Sequence, residues 1–505
     1  MRTQIWHRFV APLAASAALA GVVALVPVAA QAPKAATPPA AKATFPHGQI
    51  VDNIVCATDA KESYALYLPS GYRPDRLWPI LYTFDPRSHG QAAAEVFQAG
   101  AEKYGYIIAS SNNSLSDGPL EPNVAAMRAM WTDTHSKLAI DDRRIYAAGF
   151  SGTVRSSCIL AKAAPGSIQG IIAAGAGFPV EEPPTAKTAF SYYGTVGILD
   201  FNFNEVTQLD TKLDELGLPH RVEVFAGGHE WMSPELASRG IAWMELQAMK
   251  TGRRPTDAAL VDGLWAEWKK EADALLAAGK PFPAYLAYRA LARDFAGLRK
   301  GDAFQAVQAK ADELGRKETV QREAKERDKR AQRDHDFLEN AARILGTSLP
   351  SASPAADPAT NREKSEVEQV VAQLQIEELK RKAKAQDGEE GPAAQRLLNS
   401  LSAQTAFYMP RMFVERKEYD RALWCLDIAS RINPDNPGVW FSQASIHSRR
   451  GEKKKALDLL ERAIHEGWDD RARLETDPAF EPIRQDPGFQ QLLQKIAKAP
   501  PAAKG

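Results

Sequence analysis

Between about residues 48 and 251, short apolar runs rich in β-branched and aromatic residues alternate with segments whose apolar residues recur at helical spacing. The first pattern predicts strands and the second predicts amphipathic helices. Because the two alternate, we expect a mostly parallel α/β sheet with helices on both faces. The predicted strands lie near Ile50–Cys56, Ser63–Leu68, Pro79–Asp85, Tyr106–Ser110, Arg144–Gly149, Ile168–Ala174, Ala189–Gly197 and Arg221–Phe225.

Beyond Thr251 the strand pattern ends, and residues 252–390 carry long, charged helical patterns. These patterns cover Asp257–Ala278, Phe304–Leu345 and Arg362–Ala385, and the segments TSLPSASPAADPAT and QDGEEGPAA interrupt them. In QREAKERDKRAQRD, acidic residues are interleaved with basic ones. That interleaving is typical of a solvated helix face and not of a nucleic-acid-binding patch.

An internal repeat lies within residues 391–497. Ala422 and Ala456, like Ala429 and Ala463, are separated by 34 residues, the period of a helix-turn-helix unit. The segment resembles the tetratricopeptide repeat over about two units, which implies a helical repeat domain that binds a protein partner. It departs from that pattern because a proline falls inside a first helix and a histidine replaces the usual aromatic residue. An ordinary helical bundle is the alternative.

The first thirty residues predict an export signal, because two arginines precede the apolar stretch FVAPLAASAALAGVVALVPVAA and this stretch ends in the small residues Val28–Ala30. We expect cleavage near Ala30, a Pro/Ala-rich linker at residues 31–47, and a periplasmic or secreted protein without a stable membrane span. An uncleaved anchor is the alternative, since the apolar run approaches the length of a span, although its two prolines weaken that interpretation.

Length, net charge and cysteine count exclude some classes of protein. The 505 residues exceed one compact core and favour roughly two or three domains. Lys plus Arg number 63 and Asp plus Glu number 63, so no long-range field attracts nucleic acid or an anionic membrane. The cysteines, Cys56, Cys158 and Cys425, are too few for a disulfide framework. We expect buried free thiols, with a bridge between Cys56 and Cys158 as the alternative.

The stretch RRIYAAGFSGTVRSSC ends a predicted strand at Gly149 and begins a helical run directly after Ser151. Nucleophilic acyl transfer needs a serine oxygen clear of its own backbone and near an unoccupied N–H, and a tight strand-to-helix turn provides both. The pattern approaches G-x-S-x-G, but Thr153 occupies the last position. We expect Thr153 to widen the spacing or to meet a different neighbour. A serine that only caps the helix is the alternative.

Two further residues follow predicted strands. Asp200 comes after SYYGTVG, and His229 lies in the glycine-rich segment AGGHEW. The chain order Ser151, Asp200, His229 is the order expected when nucleophile, acid and base occupy successive loops at one edge of a parallel sheet. Each residue has an alternative. Asp200 could cap a helix, in which case Glu205 would be the acid, and His229 could be a surface histidine.

Other histidines fit this arrangement less well. His89 lies near the expected substrate position but has no acid behind it in the sequence, and His220 begins a strand at the wrong edge of the sheet. For the oxyanion hole we expect the backbone N–H of Gly152 and one donor from FDPRSHG. Because proline has no N–H, the second donor is Asp85 or Arg87, and Arg87 is favoured. Aromatic residues that could line a pocket are Phe84, Phe201, Phe203 and Trp231.

Together, ESYALYLPSGY, WPILYTFDP, RRIYAAGFSG, GILDFN and AGGHEW resemble the α/β-hydrolase superfamily, near its bacterial feruloyl-esterase, polyhydroxybutyrate-depolymerase and dienelactone-hydrolase-like members. The resemblance covers residues 48–251. It implies a cofactor- and metal-independent serine esterase with Ser151, Asp200 and His229 as its triad. The substrate is then a small ester or an ester-bearing polymer. An inactive scaffold whose helical repeats bind a protein is the alternative, and peptidase activity is a third option.

Overall fold

The computed structural model describes residues 44–350, 361–385 and 388–498. The predicted export signal and most of the linker at 31–47 lie outside the described residues. Within the described chain there are two compact units, one ending at Ala331 and the other beginning at Gln332.

The first unit is built on a sheet that contains eight strands in the described chain, in the spatial order β1-β2-β4-β3-β5-β6-β7-β8. β1 and β2 are antiparallel to their neighbours, and all pairings from β4 to β8 are parallel. This mostly parallel sheet fits the predicted α/β-hydrolase fold. The strands are β1 (Ile50–Cys56), β2 (Asp59–Tyr67), β3 (Trp78–Phe84), β4 (Ile107–Ser111), β5 (Ile140–Phe150), β6 (Gly170–Ala174), β7 (Ser191–Gly197) and β8 (His220–Phe225).

Helices cover both faces of the sheet. The helices are α1 (Gly90–Tyr104), α2 (Glu121–Lys137), α3 (Gly152–Ala163), α4 (Phe203–Glu215) and α5 (Pro234–Lys250). Successive strand residues point to opposite faces. Accordingly, Ile145 and Ala147 of β5 belong to a hydrophobic cluster shared with α2, α3 and α4, whereas Tyr146 and Ala148 belong to a second cluster with α1 and α5.

The sheet unit continues past residue 251, where the sequence pattern placed its end. Three further helices follow, α6 (Ala258–Ala277), α7 (Pro281–Phe295) and α8 (Asp302–Arg316). Trp265 and Trp268 of α6 lie in the same hydrophobic cluster as Trp243 of α5. Buried Arg221 of β8 donates to Asp294 of α7 over 2.5 Å. The apolar stripes of these charged helices therefore pack on the sheet unit.

The remaining helices start with α9 (Glu318–Thr347), which spans the division at Ala331. The predicted helix over 304–345 is two helices, because Lys317 between α8 and α9 has an extended backbone. The predicted helix over 362–385 also breaks, at Gln375, whose φ is 54°. The other helices are α10 (Asn361–Gln373), α11 (Ile376–Ala383), α12 (Glu390–Ser402), α13 (Met409–Glu415), α14 (Tyr419–Ile432), α15 (Pro437–Arg449), α16 (Lys453–His465), α17 (Arg471–Thr476) and α18 (Pro487–Lys498).

The alanines that define the 34-residue spacing lie inside the second unit. Ala422 and Ala429 of α14 and Ala456 and Ala463 of α16 have no exposed surface. A small side chain at these points lets neighbouring helices approach closely. The helical character of this region agrees with the sequence pattern, and its assignment to tetratricopeptide repeats stays a prediction.

Two further features concern the whole described chain. Cys56, Cys158 and Cys425 are buried free thiols, so the alternative bridge between Cys56 and Cys158 is wrong.

Among the residues that the structure describes, none of the helices combines the length and the apolar character that crossing a membrane requires.

Candidate active site

Ser151 is the single residue between the end of β5 and the start of α3. Its backbone has a φ of 55° and a ψ of −127°, a conformation that non-glycine residues rarely adopt. The Ser151 N–H donates to the carbonyl oxygen of Ala174 in β6 over 2.9 Å, which fixes the turn against the next strand. Strained residues of this kind are typical of functional turns, including the nucleophile turn of serine hydrolases.

Gly149 and Gly152 lie on either side of Ser151, and neighbouring atoms come too close to both of them to leave space for a side chain. A Cβ atom on Gly149 would lie 2.7 Å from the backbone of Thr153 and Val154. A Cβ on Gly152 would lie 2.6 Å from the Cβ of Ser116. Neither position has room for a side chain, so the turn requires glycine on each side of Ser151.

Thr153 was expected to widen the spacing at this turn or to meet a different neighbour, and its side chain contacts β3, the strand beside β5. Its side chain is fully buried, and its Oγ1 lies 2.6 Å from the carbonyl oxygen of Phe84, the last residue of β3. The same oxygen accepts a hydrogen bond from the Phe150 N–H over 3.0 Å. The Thr153 hydroxyl therefore fastens the end of β3 to the end of β5.

The three residues predicted to meet do meet in the structure. The Nε2 atom of His229 lies 2.9 Å from the Oγ of Ser151. The Nδ1 atom of His229 lies 2.9 and 3.0 Å from the two carboxylate oxygens of Asp200. Asp200 follows β7 and His229 follows β8, so parallel strands deliver these side chains to the edge where β5 delivers Ser151.

Asp200 has no exposed surface. Burial raises the pKa of its carboxyl above the usual value, and the hydrogen bond from His229 opposes this shift. Asp200 also accepts the N–H of Asn202 over 2.7 Å, and the Asn202 side chain donates to the carbonyl oxygen of Gly175 over 2.7 Å. Helix α4 begins at Phe203 with Asn202 at its N-cap position, so Asp200 is not the helix cap.

The His229 ring packs against two aromatic rings, with centroid distances of 4.1 Å to Phe201 and 4.7 Å to Phe150. Its side chain is 20% exposed, so the imidazole remains reachable from solvent. Trp231 packs against Phe150 at 5.7 Å. The other two predicted pocket residues are core residues instead, because Phe84 and Phe203 are buried in hydrophobic clusters.

No protein-family model matches the chain, and no curated protein sequence matches it. The chain is similar in structure to S-formylglutathione hydrolase from Staphylococcus aureus, at 13% identity and a TM-score of 0.33 over 40% of this chain and 99% of that one. It is also similar to an esterase from Pyrobaculum calidifontis, at 14% identity and a TM-score of 0.33 over 40% and 87% of the two chains. A ferulic acid esterase has 13% identity and a TM-score of 0.31 over 39% and 97%.

The alternative acid has other partners. The two carboxylate oxygens of Glu205 accept hydrogen bonds from the Nη2 atom of Arg155 over 2.8 and 2.9 Å, and one of them also accepts the N–H of Gly177 over 2.8 Å. These bonds hold the start of the loop after β6 against α3 and α4. Asp200, and not Glu205, is the carboxylate that faces His229.

The alternative histidines also lie in other surroundings. His220 is fully buried, and its Nε2 atom lies 3.1 Å from Asp210 and 3.5 Å from Asp214. His89 is exposed, with its Nδ1 atom 3.9 Å from Asp85, so it does have an acid nearby. Neither histidine takes the place of His229 beside Ser151.

Asp210, Asp214 and His220 form the one cluster of metal-ligand type in the described ranges. Arg289 and Arg293 pair with the same two carboxylates, at 3.0 Å for Arg289 with Asp214 and 2.6 Å for Arg293 with Asp214. These guanidinium groups already balance the acidic charge. The cluster is therefore an ion-pair network that joins α7 to α4 and β8.

The two N–H groups predicted to form the oxyanion hole, those of Gly152 and Arg87, lie in different hydrogen-bonding surroundings. Gly152 is the first residue of α3, where a backbone N–H has no acceptor within its own helix. The Arg87 N–H instead donates to the Oδ1 atom of Asp85 over 2.8 Å, so it is not free for a substrate oxygen. This bond was not predicted, although it is a local turn that aspartate favours by accepting the N–H two residues later in the chain.

Two further residues shape the site without having been predicted. Gly175, after β6, has a φ of 62°, and a Cβ there would lie 2.9 Å from Asp200 and 3.1 Å from His229. Phe150 packs against the His229 ring. Glycine directly after a predicted strand was the only sequence signal for Gly175.

Proposed function

We propose that this protein is a serine hydrolase that cleaves carboxylic esters through an acyl-enzyme. The observation that carries the proposal is the chain of short contacts from the Ser151 Oγ through the His229 ring to the Asp200 carboxylate. Hydroxyl, imidazole and carboxylate in this order are the groups that activate a serine as a nucleophile.

In the first half-reaction, the Ser151 oxygen attacks the ester carbonyl carbon while its proton passes to Nε2 of His229. The Nδ1–H of His229 donates to Asp200, which orients the ring and stabilises its charged form. The carbonyl oxygen becomes an oxyanion near the Gly152 N–H and the positive end of α3. The bond to the alcohol then breaks, and His229 returns its proton to the leaving alkoxide.

In the second half-reaction, water replaces the alcohol. His229 takes a proton from the water as its oxygen attacks the acyl-serine carbonyl, and a second oxyanion forms in the same position. When it collapses, the bond to Ser151 breaks and His229 gives the proton back to the serine oxygen. The products are a carboxylic acid and an alcohol, and the enzyme is restored.

The loop between β6 and β7 bears on the size of the substrate. Residues 175–190, all of them described, contain no helix, and Val180 within this loop is 43% exposed. Without a helical lid here, an exposed ester on a larger molecule suits the site better than a long lipid chain. A small ester or an ester-bearing polymer is accordingly the proposed substrate class.

The test is to label the full chain with a fluorophosphonate probe and to measure p-nitrophenyl acetate hydrolysis, in the wild type and in Ser151→Ala and His229→Gln variants. We expect labelling at Ser151 alone, and loss of both labelling and hydrolysis in the two variants. His135→Gln is the matched control, because His135 also pairs with an aspartate, Asp142, at 3.1 Å but has no role in the proposed site.

Folded wild-type protein that neither reacts with the probe nor hydrolyses any ester of a panel would contradict the proposal and favour the inactive scaffold. Hydrolysis of small amides at rates near those for esters would indicate a peptidase instead. Activity that persists in Ser151→Ala would show that the nucleophile lies elsewhere.

Export is part of the proposal and rests on the N-terminal pattern. Expression of the full chain in a bacterial host, followed by mass measurement of the protein in the periplasmic and extracellular fractions, tests it. A mass that corresponds to cleavage near Ala30 is expected, and full-length protein confined to the membrane fraction would favour the uncleaved anchor.

A further inference from the structure

Asp85 is a buried carboxylate beside the candidate site that the proposed mechanism does not use. It directly follows β3, whose last residue, Phe84, pairs with Gly149, and it is 2% exposed. A buried carboxylate is costly unless hydrogen bonds satisfy its oxygens. The partners of Asp85 therefore indicate why an acid is kept at this point.

The two oxygens of Asp85 face two different loops. Oδ1 accepts the backbone N–H of Arg87 over 2.8 Å and that of His89 over 3.3 Å, which fixes the loop after β3. Oδ2 accepts the indole N–H of Trp231 over 3.0 Å. Trp231 comes two residues after His229, so the second bond reaches the loop that carries the imidazole.

Packed aromatic rings connect Trp231 to the candidate site. Its ring lies 5.8 Å from Phe97 of α1 and 5.7 Å from Phe150. Phe150 in turn lies 4.7 Å from the His229 ring, directly before Ser151. An indole that donates a hydrogen bond to a carboxylate and packs against two aromatic rings has little freedom, and hydrogen bonds to a carboxylate are the stronger kind.

We propose that Asp85 is a positioning residue that holds the His229 loop at the correct distance from Ser151 by anchoring Trp231. This inference rests on the proposed hydrolase function. A small displacement of a general base lowers the rate of proton transfer much more than it lowers substrate affinity, because the reacting atoms must align. The bond between Asp85 and Trp231 should therefore influence kcat and leave KM nearly unchanged.

The test uses the full chain with Asp85→Asn, Asp85→Ala, Trp231→Phe and the combination of Asp85→Ala with Trp231→Phe. The amide of Asn has a single acceptor oxygen, so it cannot serve both loops, and phenylalanine keeps an aromatic ring without the N–H. We expect each single variant to lower kcat by about tenfold to 100-fold with little change in KM. In the Asp85→Ala background, where no acceptor remains for the indole N–H, Trp231→Phe should have a clearly smaller effect, since the bond is already broken.

Asp133→Asn is the matched control for loss of a buried carboxylate. Asp133 is 1% exposed and accepts hydrogen bonds from Ala57, Tyr64 and Lys137, away from Ser151. We expect this variant to unfold more easily and to keep its kcat. Asp85→Ala is the background for the double-mutant cycle, because alanine removes every acceptor at this position.

The outcomes separate the two proposals. An active wild type whose kcat is unchanged in Asp85→Asn and Asp85→Ala overturns the positioning role and leaves the hydrolase function intact. Additive effects of Asp85→Ala and Trp231→Phe also overturn it. An inactive wild type overturns the hydrolase function and this inference with it.

Discussion

Replacing Thr153 by valine tests whether the departure from the usual motif strengthens the nucleophile turn. Valine has nearly the same shape but no hydroxyl. The change leaves the Phe84 carbonyl oxygen without its contact at 2.6 Å and the Phe150 N–H without its acceptor at 3.0 Å. Thr153 is fully buried, so water cannot replace the lost partner easily.

The magnitude follows from these two backbone groups. A buried polar group left without a partner costs about 1–3 kcal/mol, so the loss of partners for two such groups should lower the free energy of unfolding of the sheet unit in Thr153→Val by about 2–6 kcal/mol. Thr153→Gly, which restores the usual G-x-S-x-G pattern, loses the same bonds and should also destabilise the protein. Because the turn then holds Ser151 less firmly, kcat for p-nitrophenyl acetate should fall in both variants.

Urea unfolding followed by tryptophan fluorescence gives the change in stability, and Thr153→Ser is the control that keeps the hydroxyl. The serine variant should lie much closer to the wild type than the valine variant. Unchanged urea midpoints for Thr153→Val, or a Thr153→Gly variant more stable and more active than the wild type, would refute this account of the turn.

Three other substitutions probe the site. Asp200→Asn should lower kcat by about 10⁴-fold in ester hydrolysis, because the amide cannot orient the imidazole. Burial raises the pKa of Asp200, so the ionised carboxylate destabilises the folded protein, and this destabilisation increases as the pH rises through that pKa. Thermal unfolding should therefore show Asp200→Asn more stable than wild type at neutral pH, with the difference vanishing as pH falls to the usual carboxyl range. Gly175→Ala should lower kcat/KM by more than about tenfold, because its Cβ would lie 2.9 Å from Asp200, and normal kinetics would contradict this. Ser151→Gly should unfold at higher urea than Ser151→Ala, by about 1 kcal/mol, since glycine relieves the positive φ, and equal midpoints would show that the turn is unstrained.

Much of the sheet could be predicted because each strand is a local apolar run. The same local pattern, with the rule that parallel strands end at one edge, predicted that Ser151, Asp200 and His229 would meet. In the structure they lie within hydrogen-bonding distance. Their catalytic roles stay a proposal.

The remaining features depend on distant parts of the chain. The hydroxyl of Thr153 contacts Phe84, 69 residues away, and Asp85 contacts Trp231 across 146 residues. Neither pair leaves a periodic signal. The helices after residue 251 show an apolar stripe in the sequence, but a stripe does not identify the surface that it covers. The end of the sheet unit was therefore not predictable from periodicity.

The backbone conformation at Ser151 also limits which nucleophilic residues can replace this serine. At a φ of 55° a β-branched residue is strongly disfavoured, so threonine cannot inherit the position by a single codon change without remodelling the turn. Cysteine has the same unbranched Cβ as serine and faces no such barrier. A single substitution could therefore give a thiol nucleophile in this turn, whereas a threonine nucleophile would also need a change in the backbone.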